Sequence, residues 1–156
     1  VIPCNTAHYW YEDLKRKIKI PIINMPKEVF FHTKKICKKG AKIGLLATEG
    51  TLKTEIYEKL FKNEYKLIKP TNNLQIKSVN KTIKHVKMGN IKFAEKSIKP
   101  AINYLIRNNC KKIILGCTEI PIAIFAFKSL KNAKLSKLYL DPNLILANSS
   151  MARYKK

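Results

Sequence analysis

Two short segments each bring a cysteine to the end of an apolar run, at the point where a helix is expected to begin. The first is "PCNTAH", which contains Cys4, and the second is "GCTEIP", which contains Cys117. A threonine follows each cysteine within two residues, and Thr6 and Thr118 are suitable helix caps. Because a helix N-terminus stabilises an anion, we expect the pKa of both thiols to be lowered and the reactive thiolate to be favoured.

The other two cysteines, Cys37 and Cys110, lie at expected helix ends without such turns, so we assign them a structural role. The alternative for Cys4 and Cys117 is that both are buried and pack as small hydrophobic side chains. The chain has no C-x-x-C pair and no histidine at a matching spacing, which argues against a zinc site. Free thiols suit a reducing compartment, and we find no membrane-spanning run or secretory signal, so a cytoplasmic location is expected.

Strands and helices are expected to alternate along the whole chain. Helical spacing of apolar residues separates the strands, as in the stripe from Leu52 to Phe61 and the helix from Ile76 to Val86. A further helix is expected to bend or to start afresh at Pro100. The expected strands are Val1–Cys4, Ile20–Ile23, "KIGLLAT", "YKLIKP", "KKIILG" and "LYLDP". This alternation predicts an α/β fold with a mostly parallel sheet. Ligands bind such sheets at the carboxyl ends of the strands, where "PCNTAH", "ATEGT" and "GCTEIP" all fall.

The strong positive charge does not indicate a specific nucleic-acid partner. The formal net charge is +22, but the only arginines are Arg16, Arg107 and Arg153. Nucleic-acid sites favour arginine, clustered on one face, whereas the lysines here are spread through every predicted helix. We interpret them as a solvated basic surface that would attract polyanions weakly and without specificity.

The three motifs, in the order "PCNTAH", "GLLATEGT" and "GCTEIP", resemble the aspartate/glutamate racemase family, and in particular its aspartate racemase branch. "VNKTIKHVKMG" and "LDPNLILA" extend the resemblance over essentially the whole chain. It implies a Rossmann-like parallel-sheet lobe of a two-lobed fold. We expect residues 21–128 to form one complete lobe, and residues 1–20 and 129–156 to be parts of a second lobe that is truncated at its N-terminus.

The resemblance also implies the chemistry. Such enzymes use neither pyridoxal phosphate nor a metal. Of Cys4 and Cys117, one as thiolate would remove the α-proton of the substrate, and the other as thiol would return a proton to the opposite face. Donors aimed at the α-carboxylate would stabilise the carbanion, including backbone N–H groups after Cys4, Gly50 and Cys117. The expected side-chain donors are Asn5, Thr6, Thr48, Thr51 and Thr118.

A cation is expected for the second carboxylate of an acidic substrate. In the family this is a lysine and an arginine; Lys87 in "VKMG" matches the lysine, whereas no arginine of this chain matches the other. The alternative for Lys87 is a solvated lysine at a helix end. His8 and Glu119 flank the cysteines, and we expect them either to tune the thiols or to be structural turn residues.

The leading hypothesis is a cofactor-independent aspartate racemase, with a small acidic amino acid as its partner. The resemblance leaves open glutamate racemase, hydantoin racemase and maleate isomerase activities. A non-catalytic truncated remnant or a basic binding module is the alternative of a different class, and these 156 residues alone are expected to be inactive. No membrane and no specific nucleic acid are expected as partners, and the resemblance allows a homodimer.

Overall fold

Parallel strands form the sheet at the centre of the protein, which the computed structural model describes over residues 1–126 and 136–154. In the described part the strands are β1 Lys42–Ala47, β2 Lys66–Ile68, β3 Lys112–Gly116 and β4 Tyr139–Leu140. Their order is β2-β1-β3-β4, and every neighbouring pair is parallel. The predicted α/β fold with a parallel sheet is confirmed. The predicted lobe boundary at residue 128, and the segment that follows it up to residue 135, lie outside the described residues.

Helices connect the strands and cover both faces of the sheet. A short 3-10 helix, Thr6–Trp10, leads into the first α-helix. The α-helices of the described residues are α1 Tyr11–Lys17, α2 Met25–Ile36, α3 Glu49–Thr54, α4 Ile56–Phe61, α5 Asn72–Leu74, α6 Lys81–Lys87, α7 Ile91–Arg107, α8 Glu119–Phe125 and α9 Pro142–Tyr154. A π-helical stretch, Gln75–Asn80, joins α5 to α6.

The two central strands, β1 and β3, are buried over nearly their whole length, as their almost continuous apolar sequences predict. One core cluster packs α6, α7 and α8 on one face of the sheet, and a second packs α2 and α4 on the other. In the register of β1 against β3, Ala47 pairs with Gly116. The residues that follow these two strands therefore emerge side by side at one edge of the sheet.

Two of the predicted strands are wrong. Residues 1–4 and 18–24 have no strand structure. Each segment contains a proline, Pro3 or Pro21, which has no N–H for a strand ladder. Neither segment pairs with a strand of the described sheet. A short apolar run predicts burial, but it becomes a strand only where a partner supplies hydrogen bonds.

A fresh helix start at Pro100, one of the two predicted outcomes, does not occur, and α7 continues through this residue. Pro100 has no N–H to donate to the carbonyl one turn earlier, and the Ser78 hydroxyl lies beside this gap in the helical hydrogen bonds. Ser78 Oγ accepts from the Ala101 N–H at 3.3 Å and donates to the Ser97 carbonyl. The hydroxyl thus bridges Ala101 and Ser97 beside the proline, and α7 continues across this point.

The helix predicted from Ile76 to Val86 is also irregular. Its first part is π-helical, and Ile76, expected on the buried face, is 61% exposed. A π-helix accommodates extra residues per turn and so shifts the phase of the apolar face. The stripe predicted from Leu52 to Phe61 is interrupted for a different reason: Glu55 adopts a left-handed conformation with φ of 54° and separates α3 from α4.

Candidate active site

A cavity of about 180 Å³ lies at the carboxyl edge of β1 and β3. Its walls come from the first residues of the chain, from the residues after β1, from the end of α6 and from the residues after β3. The lining residues are Cys4, Asn5, Thr6, Thr48, Thr51, Lys87, Gly116, Cys117, Thr118 and Glu119. Of the residues singled out from the sequence, His8 alone is not in this lining. The parallel register explains the convergence, because it places the turns after β1 and β3 next to each other.

Cys117 follows β3 directly and is 6% exposed. Its Sγ donates a hydrogen bond to Glu119 Oε2 at 2.9 Å. Burial, and then the hydrogen bond to the Glu119 carboxylate, raise the pKa of Cys117 to about 12. The expectation of a lowered pKa is therefore wrong for this thiol. Burial and a neighbouring carboxylate outweigh the short helix that begins beside it, and Cys117 at rest is the protonated thiol.

Glu119 is the ionised neighbour of this thiol. Its Oε2 also accepts from Thr118 Oγ1 at 2.9 Å, and Lys87 Nζ lies 3.6 Å from its Oε1. Burial alone would raise the pKa of Glu119, but the hydrogen bonds from Cys117 and Thr118 and the charge of Lys87 leave it below its usual value. Because the Thr118 hydroxyl donates to Glu119, it does not cap α8, which corrects that expectation.

Cys4 is exposed, and its segment is attached to the rest of the protein through its neighbours. Asn5 is buried, and its Oδ1 accepts from the Tyr57 hydroxyl at 2.5 Å. His8 Nδ1 lies 2.8 Å from the Cys4 carbonyl oxygen, and His8 Nε2 accepts from the Met25 N–H at 3.1 Å. The His8 ring is therefore the tautomer with the proton on Nδ1. His8 thus links the backbone of Cys4 to the start of α2. This contact favours the second alternative for His8, that of a structural turn residue.

Three threonine hydroxyls lie close together in the lining of the cavity. Thr6 Oγ1 lies 2.7 Å from Thr51 Oγ1 and 3.4 Å from Thr48 Oγ1, and the last two oxygens are 3.1 Å apart. Thr48 is the N-cap of α3, since its Oγ1 accepts from the Thr51 N–H at 3.1 Å. The capping threonine is thus Thr48 and not Thr6, because Thr6 is turned toward the neighbouring helix.

Sequence reasoning missed Tyr57 as part of this arrangement. Tyr57 lies in α4, fully buried, and its hydroxyl fixes the orientation of the Asn5 amide. Within the part of the chain that is described, Asn5 Nδ2 has no hydrogen-bond partner, so it remains a donor at the cavity. Nothing in the sequence links Tyr57 to Asn5, because the two are far apart in the chain and Tyr57 reads as an ordinary core aromatic.

An open groove of about 520 Å³ adjoins the cavity and shares Thr48 and Lys87 with it.

Across residues 1–126 and 136–154, no helix has the length and apolar character needed to cross a bilayer. The same residues contain no group of three histidine, cysteine or acidic side chains arranged to hold a metal ion.

Comparison with known proteins gives the family of this chain. The model of the family described as Asp/Glu/Hydantoin racemase matches residues 1–149. The chain belongs to this family. Among relatives, it is 25% identical to the broad specificity amino-acid racemase RacX of Bacillus subtilis, over 98% of this chain and 63% of the relative. It is 27% identical to the glutamate racemase of Persephonella marina, over 100% of this chain and 56% of the relative.

Solved structures agree with the fold. The aspartate racemase of Picrophilus torridus matches with a TM-score of 0.71 and 28% identity, covering 90% of this chain and 55% of that one. An aspartate racemase homologue from Pyrococcus horikoshii matches with a TM-score of 0.78 and 22% identity, covering 98% of this chain and 65% of that one. The chain therefore has a racemase fold, and it spans less than two thirds of the length of these relatives.

Proposed function

We propose that Cys4 and Cys117 are the two proton-transfer groups of an amino-acid racemase that needs no pyridoxal phosphate. The observation that carries the proposal is that both thiols, from segments far apart in the chain, line one cavity at the carboxyl edge of the sheet. Inversion at carbon requires one acid/base group on each face of the substrate, and two thiols can exchange these roles when the substrate changes handedness.

The environments of the two thiols support a division of labour at the start of the reaction. Cys117 is buried and holds its proton, so it is the acid of the resting site, and Cys4, which is exposed, is the base. In the first step Cys4 reacts as the thiolate: the Cα–H bond breaks, the proton forms an S–H bond with Cys4 sulfur, and the electron pair remains on the substrate. In the second step the Cys117 S–H bond breaks, and that proton forms the new Cα–H bond on the opposite face. Cys117 is left as thiolate and Cys4 as thiol.

Donors to the α-carboxylate are the second requirement, because the α-proton becomes removable only when the developing negative charge is stabilised. Asn5 Nδ2 and the hydroxyls of Thr6, Thr48 and Thr51 are proposed for this role. Thr118 is the weaker candidate donor, because its hydroxyl already donates a hydrogen bond to Glu119.

An acidic amino acid is the substrate class that we propose, with aspartate as the leading member. Lys87 is the cation of the cavity lining and also lines the adjoining groove. A side-chain carboxylate leaving the cavity toward that groove would meet Lys87 first. The named activities of the relatives are broad-specificity, glutamate and aspartate racemisation, all compatible with this class. We propose a reducing, cytoplasmic setting, in which both thiols stay free.

Racemisation of L-aspartate and of D-aspartate by the full-length protein tests the proposal, with chiral chromatography as the readout. Cys4→Ala and Cys117→Ala should each reduce the rate in both directions by roughly a hundredfold or more, because each removes a proton-transfer group. Cys37→Ala is the matched control and should leave both rates unchanged, since Cys37 does not line the cavity. Near-normal racemisation by either active-site variant would overturn the two-thiol mechanism. Absence of turnover in the wild-type protein would favour the non-catalytic alternative.

A further inference from the structure

A continuous chain of polar contacts runs from the end of α6 to the thiol after β3. Lys87 Nζ lies 3.6 Å from Glu119 Oε1, and Glu119 Oε2 lies 2.9 Å from Cys117 Sγ. Both carboxylate oxygens of Glu119 are engaged, one by a cation and the other by the thiol.

We propose that Lys87 acts on the Cys117 thiol through Glu119, as a positioning residue whose charge offsets that of the carboxylate to which the thiol gives its hydrogen bond. The inference rests on the proposed function, because it concerns the acid of the same site. It gives Lys87 a role for every substrate, in addition to any contact with a side-chain carboxylate.

Burial distinguishes the two members of the ion pair. The Glu119 side chain is 19% exposed and that of Lys87 is 65% exposed, so the carboxylate faces inward and the ammonium reaches it from the surface. A mostly buried carboxylate is costly unless a charge or several donors compensate for lost hydration. Without Lys87, the side-chain donors to Glu119 that remain among the described residues would be the thiol and the Thr118 hydroxyl. Against the effect of burial, the hydrogen bonds from Cys117 and Thr118 lower the pKa of Glu119 most, and the charge of Lys87 adds to their effect while it offsets the negative charge beside the thiol.

The two neighbours affect the thiol in opposite directions. The negative charge of Glu119 raises the pKa of Cys117, and the positive charge of Lys87 lowers it. Cys4 is the other titratable group of the cavity, while Glu49 and Lys84 line the adjoining groove. Removing Glu119 should therefore make the Cys117 thiolate more abundant, and removing Lys87 should make it less abundant. If Glu119 and Lys87 had only structural roles, removing them would not shift the pKa of Cys117 in opposite directions.

Iodoacetamide alkylation of Cys117 tests this in the full-length protein without substrate. Mass spectrometry would measure the rate separately for each cysteine between about pH 6 and pH 10. Each unit by which the pKa falls raises the thiolate fraction about tenfold but lowers its nucleophilicity, for a net gain of roughly threefold in rate. At pH 8, Glu119→Gln should accelerate alkylation of Cys117 by about threefold or more, and Lys87→Met should slow it by a similar factor.

Two controls isolate the effect of Lys87. Lys84→Met removes an exposed lysine one turn earlier on the same helix and should leave the rate unchanged. Lys87→Arg keeps the charge and should restore most of the wild-type rate. Cys110 is buried in the core, so its alkylation reports any unfolding of a variant.

The route through Glu119 is tested by combining the variants. If Lys87 is held near the thiol by Glu119, Lys87→Met should have little further effect in a protein that already carries Glu119→Gln. An effect of equal size in both backgrounds would show that Lys87 acts independently of Glu119, and a Lys87→Met rate equal to that of Lys84→Met would overturn the proposal. Because no substrate is present, these outcomes are separate from the racemisation assay. A protein without turnover can still show the predicted effect of Lys87 and Glu119 on the Cys117 thiol, and an active racemase can lack this effect.

Discussion

The hydrogen bond between Tyr57 and Asn5 should contribute measurably to the free energy of unfolding. It should also hold the segment that contains Cys4 against the rest of the protein. Tyr57→Phe removes only the hydroxyl and leaves the ring in its packing against Phe61, whose ring centroid lies 6.1 Å away. The lost bond is 2.5 Å long, and both residues are buried. Asn5 Oδ1 would then be left without its donor inside the protein.

A buried acceptor without a partner costs about 1–3 kcal/mol. For a chain of this size, each kcal/mol lowers the melting temperature by about 2–4 °C, so a loss near 2 kcal/mol corresponds to about 4–8 °C. Thermal unfolding followed by circular dichroism would measure the shift. Racemisation should fall as well, because the amide of Asn5, a residue of the cavity lining, would no longer be held in one orientation by Tyr57.

Tyr139 offers a matched control. It is also buried, but its hydroxyl has no hydrogen-bond partner among the residues described. Tyr139→Phe removes an unsatisfied group and should leave the melting temperature unchanged or raise it slightly. If Tyr57→Phe and Tyr139→Phe changed the melting temperature equally, the hydrogen bond to Asn5 would contribute nothing, and our account of how the Cys4 segment is held would be refuted.

Three further predictions concern the substrate, the sheet and the pH dependence of stability. Lys87→Met should reduce kcat/KM for aspartate about tenfold to a hundredfold more than for alanine, since only aspartate has a second carboxylate; an unchanged ratio would remove Lys87 from substrate recognition. Gly116→Ala should lower stability by about 1–3 kcal/mol in urea unfolding, because the new Cβ would lie 3.1 Å from the Leu46 carbonyl oxygen; a neutral variant would contradict this packing. Burial alone would raise the pKa of Glu28, but Ser149 and Arg153 bring it below its ordinary value of 4.5. The stability that Glu28 contributes should be present above pH 4.5 and lost as the pH falls through the lowered pKa, so acid unfolding of Glu28→Gln should be less steep than that of the wild type.

The parts of the site that lie on the sheet could be predicted from sequence, and the parts held by long-range contacts could not. The apolar runs before Thr48 and Cys117 indicate buried parallel strands, and parallel strands end at the same edge. The position of these two residues follows from that rule alone. The pairing of Lys87 with Glu119 does not, because neither helix sequence contains a signal for the other.

The direction of the Cys117 pKa shift shows why local reasoning fails. A threonine and a helix start suggest a stabilised thiolate, but burial and an adjacent carboxylate dominate in the folded protein. Burial of one atom is a property of the packed chain, and no window of sequence contains it. The strand predicted at residues 1–4 is wrong for a related reason. "VIPC" is apolar enough for a strand, but whether it forms one depends on a partner strand.

The three threonine hydroxyls give the site a reversible hydrogen-bond polarity. Each hydroxyl carries one proton and can turn about its C–O bond, so the ring formed by Thr6, Thr48 and Thr51 can donate in either sense without moving a heavy atom. An arriving carboxylate can draw one O–H outward while the other two keep the Cys4 segment tied to α3. When the product leaves, the same proton turns back into the ring. The proposed racemase would serve two mirror-image ligands with one set of atoms. Such hydroxyls suit that task, because each can change the direction in which it donates by rotation alone.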